Sequence, residues 1–130
     1  MAGCPCGGVP QGASLASCCG PYLAGERAPA TAEALMRSRY TAYAVGAADH
    51  LFRTWHGRTR PHDVTPDPRV RWVGLEVRDV VAGGAGDPDG VVEFVAGWVS
   101  ADDEPVRRGE LHERSRFTRR GGRWVYVDAE

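Results

Sequence analysis

Apolar side chains recur at helical spacing between residues 31 and 47 of this 130-residue chain. Thr31 can cap the first turn, and Glu33 lies within that turn, where the helix dipole favours an acidic residue. The pattern predicts an amphipathic helix that ends near Gly46. Its apolar positions are Leu35, Met36, Tyr40, Tyr43, Ala44 and Ala47, and its polar face carries Arg37, Ser38 and Thr41.

A second, shorter helix is predicted over residues 49–55, with Leu51, Phe52 and Trp55 facing inward. Beyond a proline-rich loop, the hydrophobic period changes to two, which is typical of strands with one face in the core. Two helices followed by an antiparallel meander predict a single domain of the α+β class. The predicted strands are 71–81, 91–99, 110–119 and 123–127, with glycine-rich turns at 83–90 and 121–122. Trp72, Trp98, Trp124 and Tyr126 fall at strand spacing and are expected to fill the core or line its mouth.

Residues 1 to about 30 show neither the helical nor the strand period of hydrophobic residues, and they contain all four cysteines. Cys4 and Cys6 form one close pair and Cys18 and Cys19 another, joined by a loop with three glycines. Tetrahedral zinc needs four soft ligands at about 2.3 Å, which two such pairs can supply. The sequence predicts one structural ion that orders a segment without a core of its own. Zinc is the expected ion, and iron fits the same ligands.

Other interpretations of the cysteines remain open. A disulfide between adjacent Cys18 and Cys19 is strained, and a reducing compartment disfavours any disulfide. A thiol redox or metal-transfer role requires thiols that react before any ion is removed. Four protein ligands leave no position for water, so hydrolytic zinc is not predicted.

Charge and hydropathy limit the classes of partner. All 16 basic residues are arginine, and 17 acidic residues bring the formal net charge to -1. We therefore do not expect nucleic-acid binding. The sequence contains no run of about 18 apolar residues and begins without the apolar stretch of a secretory signal. It predicts no membrane association and a cytoplasmic location, and no pattern indicates the oligomeric state.

Longer stretches of the sequence resemble known proteins. Cys4-Pro5-Cys6-Gly7 with Cys18-Cys19-Gly20-Pro21-Tyr22 is similar to the SEC-C metal-binding motif, named from the SecA C-terminus. Five further blocks resemble the bacterial YchJ-like family in family order: LMRSRYTAY at 35–43, TWH at 54–56, WVGLEV at 72–77, VEFVA at 92–96 and ERSRF at 113–117. The resemblance implies a SEC-C-like knuckle over residues 1–28 and an NTF2-like domain over residues 29–130. An NTF2-like domain is a cone of curved antiparallel sheet wrapped by helices around a pocket.

The sequence departs from the family pattern in two places in the knuckle. Gly7-Gly8-Val9 stands where the motif usually has Gly-Ser-Gly, and the loop before Cys18 is longer than usual. Longer relatives carry a second SEC-C motif near the C-terminus, whereas this sequence stops at Glu130, so we expect any partner contact made by that motif to be missing. The family has no established biochemical activity, and the resemblance therefore implies a fold rather than a reaction.

Strand alternation predicts which polar groups enter the cone. Leu111, Glu113, Ser115 and Phe117 share one face of the third strand, so Glu113 is expected to point inward. A buried carboxylate needs a partner, and Arg37 or Arg39 on the first helix is a candidate. Such a pair can bind a substrate, but we favour an ion pair that locks the helix to the sheet.

Histidine provides weaker candidates. His56 with Glu113 or Asp128 can form an acid–base pair for dehydration or isomerisation. A histidine at a helix end more often caps carbonyl groups, and we favour that interpretation. The other histidines, His50, His62 and His112, are expected at the surface.

Two hypotheses of function follow. The first, which we favour, is a metal-knuckle protein that docks a protein partner, with the NTF2-like domain as a scaffold or weak ligand holder. The second is a small-molecule carrier or enzyme that uses the cone, with His56, Glu113 and Arg39 in its pocket. No phosphate loop, nucleophile elbow or dinucleotide fingerprint occurs, so the sequence leans away from an enzyme.

Overall fold

The fold places short helices before a single sheet, as predicted. The computed structural model describes residues 3–102 and 104–130. After a short 3-10 turn, Leu15–Ser17, come helices α1 (Gly20–Leu23), α2 (Ala32–Val45) and α3 (Ala48–Arg53), then strands β1 (Val70–Ala82), β2 (Asp89–Ser100), β3 (Arg108–Arg120) and β4 (Arg123–Ala129). Within those described ranges, no helix has the length and apolar character needed to cross a bilayer.

The four strands form one antiparallel sheet in the order β1-β2-β3-β4. The register shifts between Trp72 and Gly74 and again between Val77 and Asp79 in β1. Bulges of this kind bend a strand and increase its twist. Helix α2 packs against β1, β2 and β4 of this single sheet. The α+β class and the NTF2-like arrangement of helix on curved sheet are confirmed.

The ends of α2 follow the predicted signals. Thr31 Oγ1 accepts a hydrogen bond from the Ala34 amide at 3.0 Å, and the helix ends at Gly46, whose φ of 82° is left-handed. The buried face of α2 packs against residues from β2, β3 and β4. This core cluster consists of Ala32, Leu35, Met36, Val92, Phe117 and Trp124.

The β1–β2 hairpin touches the first turn of α2 through three small residues. The Ala32 amide donates to the Gly83 carbonyl at 2.9 Å. A Cβ atom on Gly83 would lie 2.7 Å from the Ala32 Cβ, and one on Gly90 would lie 2.5 Å from the Gly83 Cα. The hairpin and the helix therefore approach at a distance that only small residues permit.

Helix α3 is rotated relative to the prediction. His50, expected at the surface, is 1% exposed, and its Nε2 lies 2.8 Å from the Ser38 hydroxyl on α2. Phe52, expected in the core, is 46% exposed, and the Arg60 guanidinium covers its ring at 3.8 Å. Both predictions were wrong because a six-residue helix carries too little periodicity to fix its buried face.

Candidate metal centre and cavity

The four cysteine sulfurs all lie within 4.8 Å of one another. The Sγ atoms of Cys6 and Cys18 are 3.6 Å apart, those of Cys6 and Cys19 3.7 Å, and those of Cys18 and Cys19 3.9 Å. Neighbouring sulfurs of a tetrahedral site with metal–sulfur bonds of about 2.3 Å are about 3.8 Å apart. The cysteines, all within the described residues, are free thiols. The cluster therefore has the donor set and the spacing of a four-coordinate metal site.

Tight backbone turns bring the two cysteine pairs together. The Cys4 amide donates to the Ala13 carbonyl at 2.7 Å, so the loop between the pairs folds back on itself. Gly8 has a φ of 88°, and a Cβ atom there would lie 2.5 Å from the Ala13 nitrogen. Its amide donates to Cys6 Sγ at 3.4 Å. Glycine at position 8, where the motif usually has serine, is thus required by this loop.

Helix α2 supplies contacts to the cluster that the sequence analysis missed. Thr41 Oγ1 donates to Cys19 Sγ at 3.3 Å and lies 3.6 Å from Cys4 Sγ. Arg37 Nη1 donates to the Cys6 carbonyl at 2.9 Å, and its Nε pairs with Glu33 at 2.9 Å. The spacing of four between Arg37 and Thr41, which places both on one helix face, was the available signal.

The cysteine cluster is buried where it packs against the larger domain. Cys4, Cys6 and Cys19 are buried and pack with Tyr40 from α2 and Ala96 from β2. Only Cys18 is partly exposed. The N-terminal segment is thus anchored to the helix and the sheet through the cysteines themselves.

The thiols influence one another's ionisation. The pKa of Cys6 is lowered to about 5, chiefly because the Cys19 thiol donates a hydrogen bond to its sulfur, with help from the Gly8 amide. The same hydrogen bond, together with burial, raises the pKa of Cys19. Burial raises the pKa of Cys18 to about 11. Thiolates this close repel one another, and a cation between them would favour ionisation of all four.

A cavity of about 300 Å³ lies between α2 and the inner face of the sheet. Of the three residues predicted for a pocket, Arg39 and Glu113 line this cavity. Its lining residues are Met36, Arg39, Tyr40, Tyr43, Trp55, Trp72, Phe94, Ala96, Leu111, Glu113, Ser115, Phe117 and Tyr126. The β3 face predicted to point inward is therefore the face that borders the cavity.

His56 does not line this cavity. Its Nδ1 accepts a hydrogen bond from the Arg58 amide at 3.0 Å, and its Nε2 lies 2.8 Å from Arg120 Nη1. Asp128, the other predicted partner of His56, instead binds Arg116 through two contacts of 2.6 Å. The structure does not bring His56 to Glu113, so the proposed acid–base pair gains no support.

Arg39 is held by contacts other than the expected one. Its Nη1 donates to the Leu51 carbonyl at 3.2 Å and to Thr54 Oγ1 at 2.8 Å. The guanidinium carbon lies 4.7 Å from the ring centroids of both Trp55 and Tyr126. Burial lowers the pKa of Arg39 to about 10. Arg39 therefore fastens α2 to α3 and β4.

Glu113 has no cationic partner in the part of the chain that the structure describes. The predicted ion pair with Arg37 or Arg39 does not form, because Arg37 is directed to Glu33 and the knuckle and Arg39 to α3. Glu113 is half-buried, and burial raises its pKa. Its charge in turn raises the pKa of both Tyr43 and Tyr126, in each case as a smaller contribution than burial.

The arginines on the outer face of β3 are largely paired. Arg114 Nη1 contacts Glu93 at 2.8 Å and Asp79 at 3.2 Å. Glu93 also lies 2.6 Å from His112 Nε2. This face therefore carries mixed charge.

Comparisons with known proteins agree with this architecture. The family model for the YchJ middle NTF2-like domain matches residues 31–129. A UPF0225 protein of Streptomyces coelicolor is 49% identical over 127 residues, which cover 98% of this chain and 94% of the relative. A SEC-C motif containing protein from Rhodopseudomonas palustris has a solution structure with a TM-score of 0.82 and 34% identity, covering 98% of this chain and 97% of that one. A sec-c motif containing protein from Psychrobacter arcticus shares the fold, with a TM-score of 0.72, 24% identity and coverage of 97% and 80%.

Proposed function

This chain belongs to the YchJ-like, or UPF0225, family, and on that premise we propose that it is a cytoplasmic zinc protein whose cysteine knuckle docks a protein partner. The observation that carries the proposal is the convergence of four free thiols within 4.8 Å. Four thiolates satisfy a tetrahedral d¹⁰ ion without strain, which favours zinc, although iron takes the same ligands. The ion would cross-link the two cysteine pairs and so hold the loop between them in shape.

A groove beside the knuckle supports the docking role. It has a volume of about 330 Å³, and its lining includes Val9, Cys18, Tyr22 and Arg27. Val9 is 57% exposed, which is high for an apolar side chain. Arg27 has no ion-pair partner among the described residues, so a partner segment with an apolar side chain and an acidic one fits this groove.

The metal part of the proposal is tested by elemental analysis of protein purified without added metal. One zinc per chain is expected, and the thiols should resist alkylation until a chelator is added. A stoichiometric iron content would correct the identity of the ion. Metal-free protein with four freely alkylated thiols would overturn the site itself.

The docking part is tested by a photo-crosslinking residue placed at position 9, with one at Val106 as control, since Val106 is similarly exposed, at 54%. A crosslink to a defined protein is expected from position 9 only, and it should disappear with Arg27→Glu or after chelation. Equal crosslinking from both positions would contradict a specific surface.

The cavity supports a second candidate function, small-molecule binding. Arg39 and Glu113 line it together, whereas His56 lies outside. Binding is therefore better supported than dehydration or isomerisation.

A further inference from the structure

The cavity beneath α2 has walls that are mainly aromatic. Tyr40 and Tyr43 from the helix face Trp72, Phe94 and Tyr126 from the sheet. The rings of Tyr40 and Trp72 meet edge to face with centroids 6.3 Å apart. The π-electron face of an aromatic ring attracts cations, and Trp and Tyr do so more strongly than Phe.

Glu113 is the one charged lining residue whose charged group makes no hydrogen bond, ion pair or ring contact among the described residues. The other charged lining residue, Arg39, is occupied by the Leu51 carbonyl, the Thr54 hydroxyl and two aromatic rings. A half-buried carboxylate without a partner loses hydration that nothing in the protein replaces. A cationic ligand would supply the missing interaction.

We propose that this cavity binds a small organic ammonium ion, with the Glu113 carboxylate as counter-charge and the rings of Tyr40, Tyr43 and Trp72 around the cationic group. An aromatic enclosure with one carboxylate suits a methylated or primary ammonium group. The contacts that carry this inference are those of Glu113 and the aromatic rings, and none of them involves a cysteine or a docked protein.

An anionic ligand fits the same cavity less well. A carboxylate or phosphate would face the Glu113 charge, whereas Arg39 is already held by the Leu51 carbonyl, the Thr54 hydroxyl and two aromatic rings. A neutral apolar ligand would use the rings but leave Glu113 without compensation. The charge left without contacts in this cavity is that of Glu113, which favours a cation.

Access and size agree with a ligand of few atoms. Leu111 lines the cavity and is 37% exposed, which places the mouth near this residue. A volume of about 300 Å³ lies at the lower end for small-molecule sites, which run from about 300 to 1,000 Å³.

The test compares choline with its uncharged isostere 3,3-dimethylbutan-1-ol, using the metal-loaded full chain and isothermal titration calorimetry near pH 8. Tetramethylammonium and butylamine extend the series of cations. We expect at least one cation to bind, and choline to bind about tenfold more tightly than the isostere. Failure of every cation to bind at millimolar concentration, or tighter binding of the isostere, overturns the proposal.

The variant Glu113→Gln keeps the shape of the side chain and removes its charge. It should weaken cation binding about tenfold and leave binding of the isostere unchanged. Glu110→Gln is the matched control, because Glu110 lies on the same strand but is exposed on the opposite face. Equal effects of the two variants would overturn the role of Glu113. Unfolding curves without ligand check that the Glu113 variant is folded, as expected when a half-buried unpaired charge is removed.

Discussion

Thr41 donates a hydrogen bond to the sulfur of Cys19 across 3.3 Å, so a residue of α2 takes part in the cysteine cluster. Groups that contact metal ligands orient them and stabilise their ionised form. The larger domain therefore helps to build the site.

We expect Thr41→Val to weaken metal binding by about tenfold or more, because the hydroxyl that stabilises the Cys19 thiolate is removed while the shape is kept. Competition with a chromophoric chelator measures the affinity. Thr65→Val, in an exposed loop, is the control and should leave the affinity unchanged. Equal affinity in all three proteins would show that Thr41 serves packing only.

Arg39 should be required for stability. Arg39→Lys loses the planar contacts with Trp55 and Tyr126 and at least one of the hydrogen bonds to Leu51 and Thr54. We expect a loss of about 2 to 3 kcal/mol in the free energy of unfolding by urea. The exposed substitution Arg78→Lys is the control, with an expected change below about 0.5 kcal/mol. A small effect at position 39 would mean that lysine reaches the same partners.

His50 makes stability depend on pH in the mildly acidic range. Burial, reinforced by Arg53 and Arg39, lowers the pKa of His50 to about 4. Between pH 4 and about 6.5, His50 is therefore protonated in the unfolded chain, where the pKa of histidine is about 6.5, but neutral in the folded chain. Stability should fall as the pH drops from about 6.5 towards 4, by up to roughly 3 kcal/mol, and this loss should then level off.

Urea unfolding at several pH values checks this expectation, and the difference between the wild type and His50→Gln isolates the contribution of His50 from that of metal loss. That difference should change with pH between about 4 and 6.5 and be constant above. A difference independent of pH would show that folding does not shift the pKa of His50.

Gly90 should not tolerate a side chain. The added Cβ of Gly90→Ala would lie 2.5 Å from the Gly83 Cα and 3.2 Å from the Ala32 Cβ. We expect a destabilisation of about 1 to 3 kcal/mol from the forced separation of hairpin and helix. Gly86→Ala in the same hairpin meets no atom within 4 Å and is the control. Matching melting curves for the two variants would contradict this close packing.

The sequence predicted the elements whose hydrophobic pattern repeats over many residues. It did not predict the contacts that form only when these elements pack together. The strands and α2 repeat their pattern over many residues, so their limits were predicted closely. The spacing of the cysteines predicted that the four thiols converge, and their sulfurs lie within 4.8 Å of one another. Thr41 was assigned to a polar face, and nothing local in the sequence shows that the knuckle covers that face.

The partner of Glu113 could not be predicted for a similar reason. Strand alternation correctly placed Glu113 on the face that borders the cavity. The choice of Arg39 between Glu113 and the end of α3 depends on where α3 docks, and the rotation of that helix was itself predicted wrongly. Local patterns determine which face a side chain occupies, whereas its partners depend on how elements meet.

Tyr40 packs against the cysteines and also forms a wall of the cavity. An ion on one side of this ring and a ligand on the other would both hold it in place. Binding of the ion would then raise the affinity for the ligand, and binding of the ligand would raise the affinity for the ion by the same factor. Through this ring, binding at the cysteines would be felt in the cavity, and binding in the cavity at the cysteines.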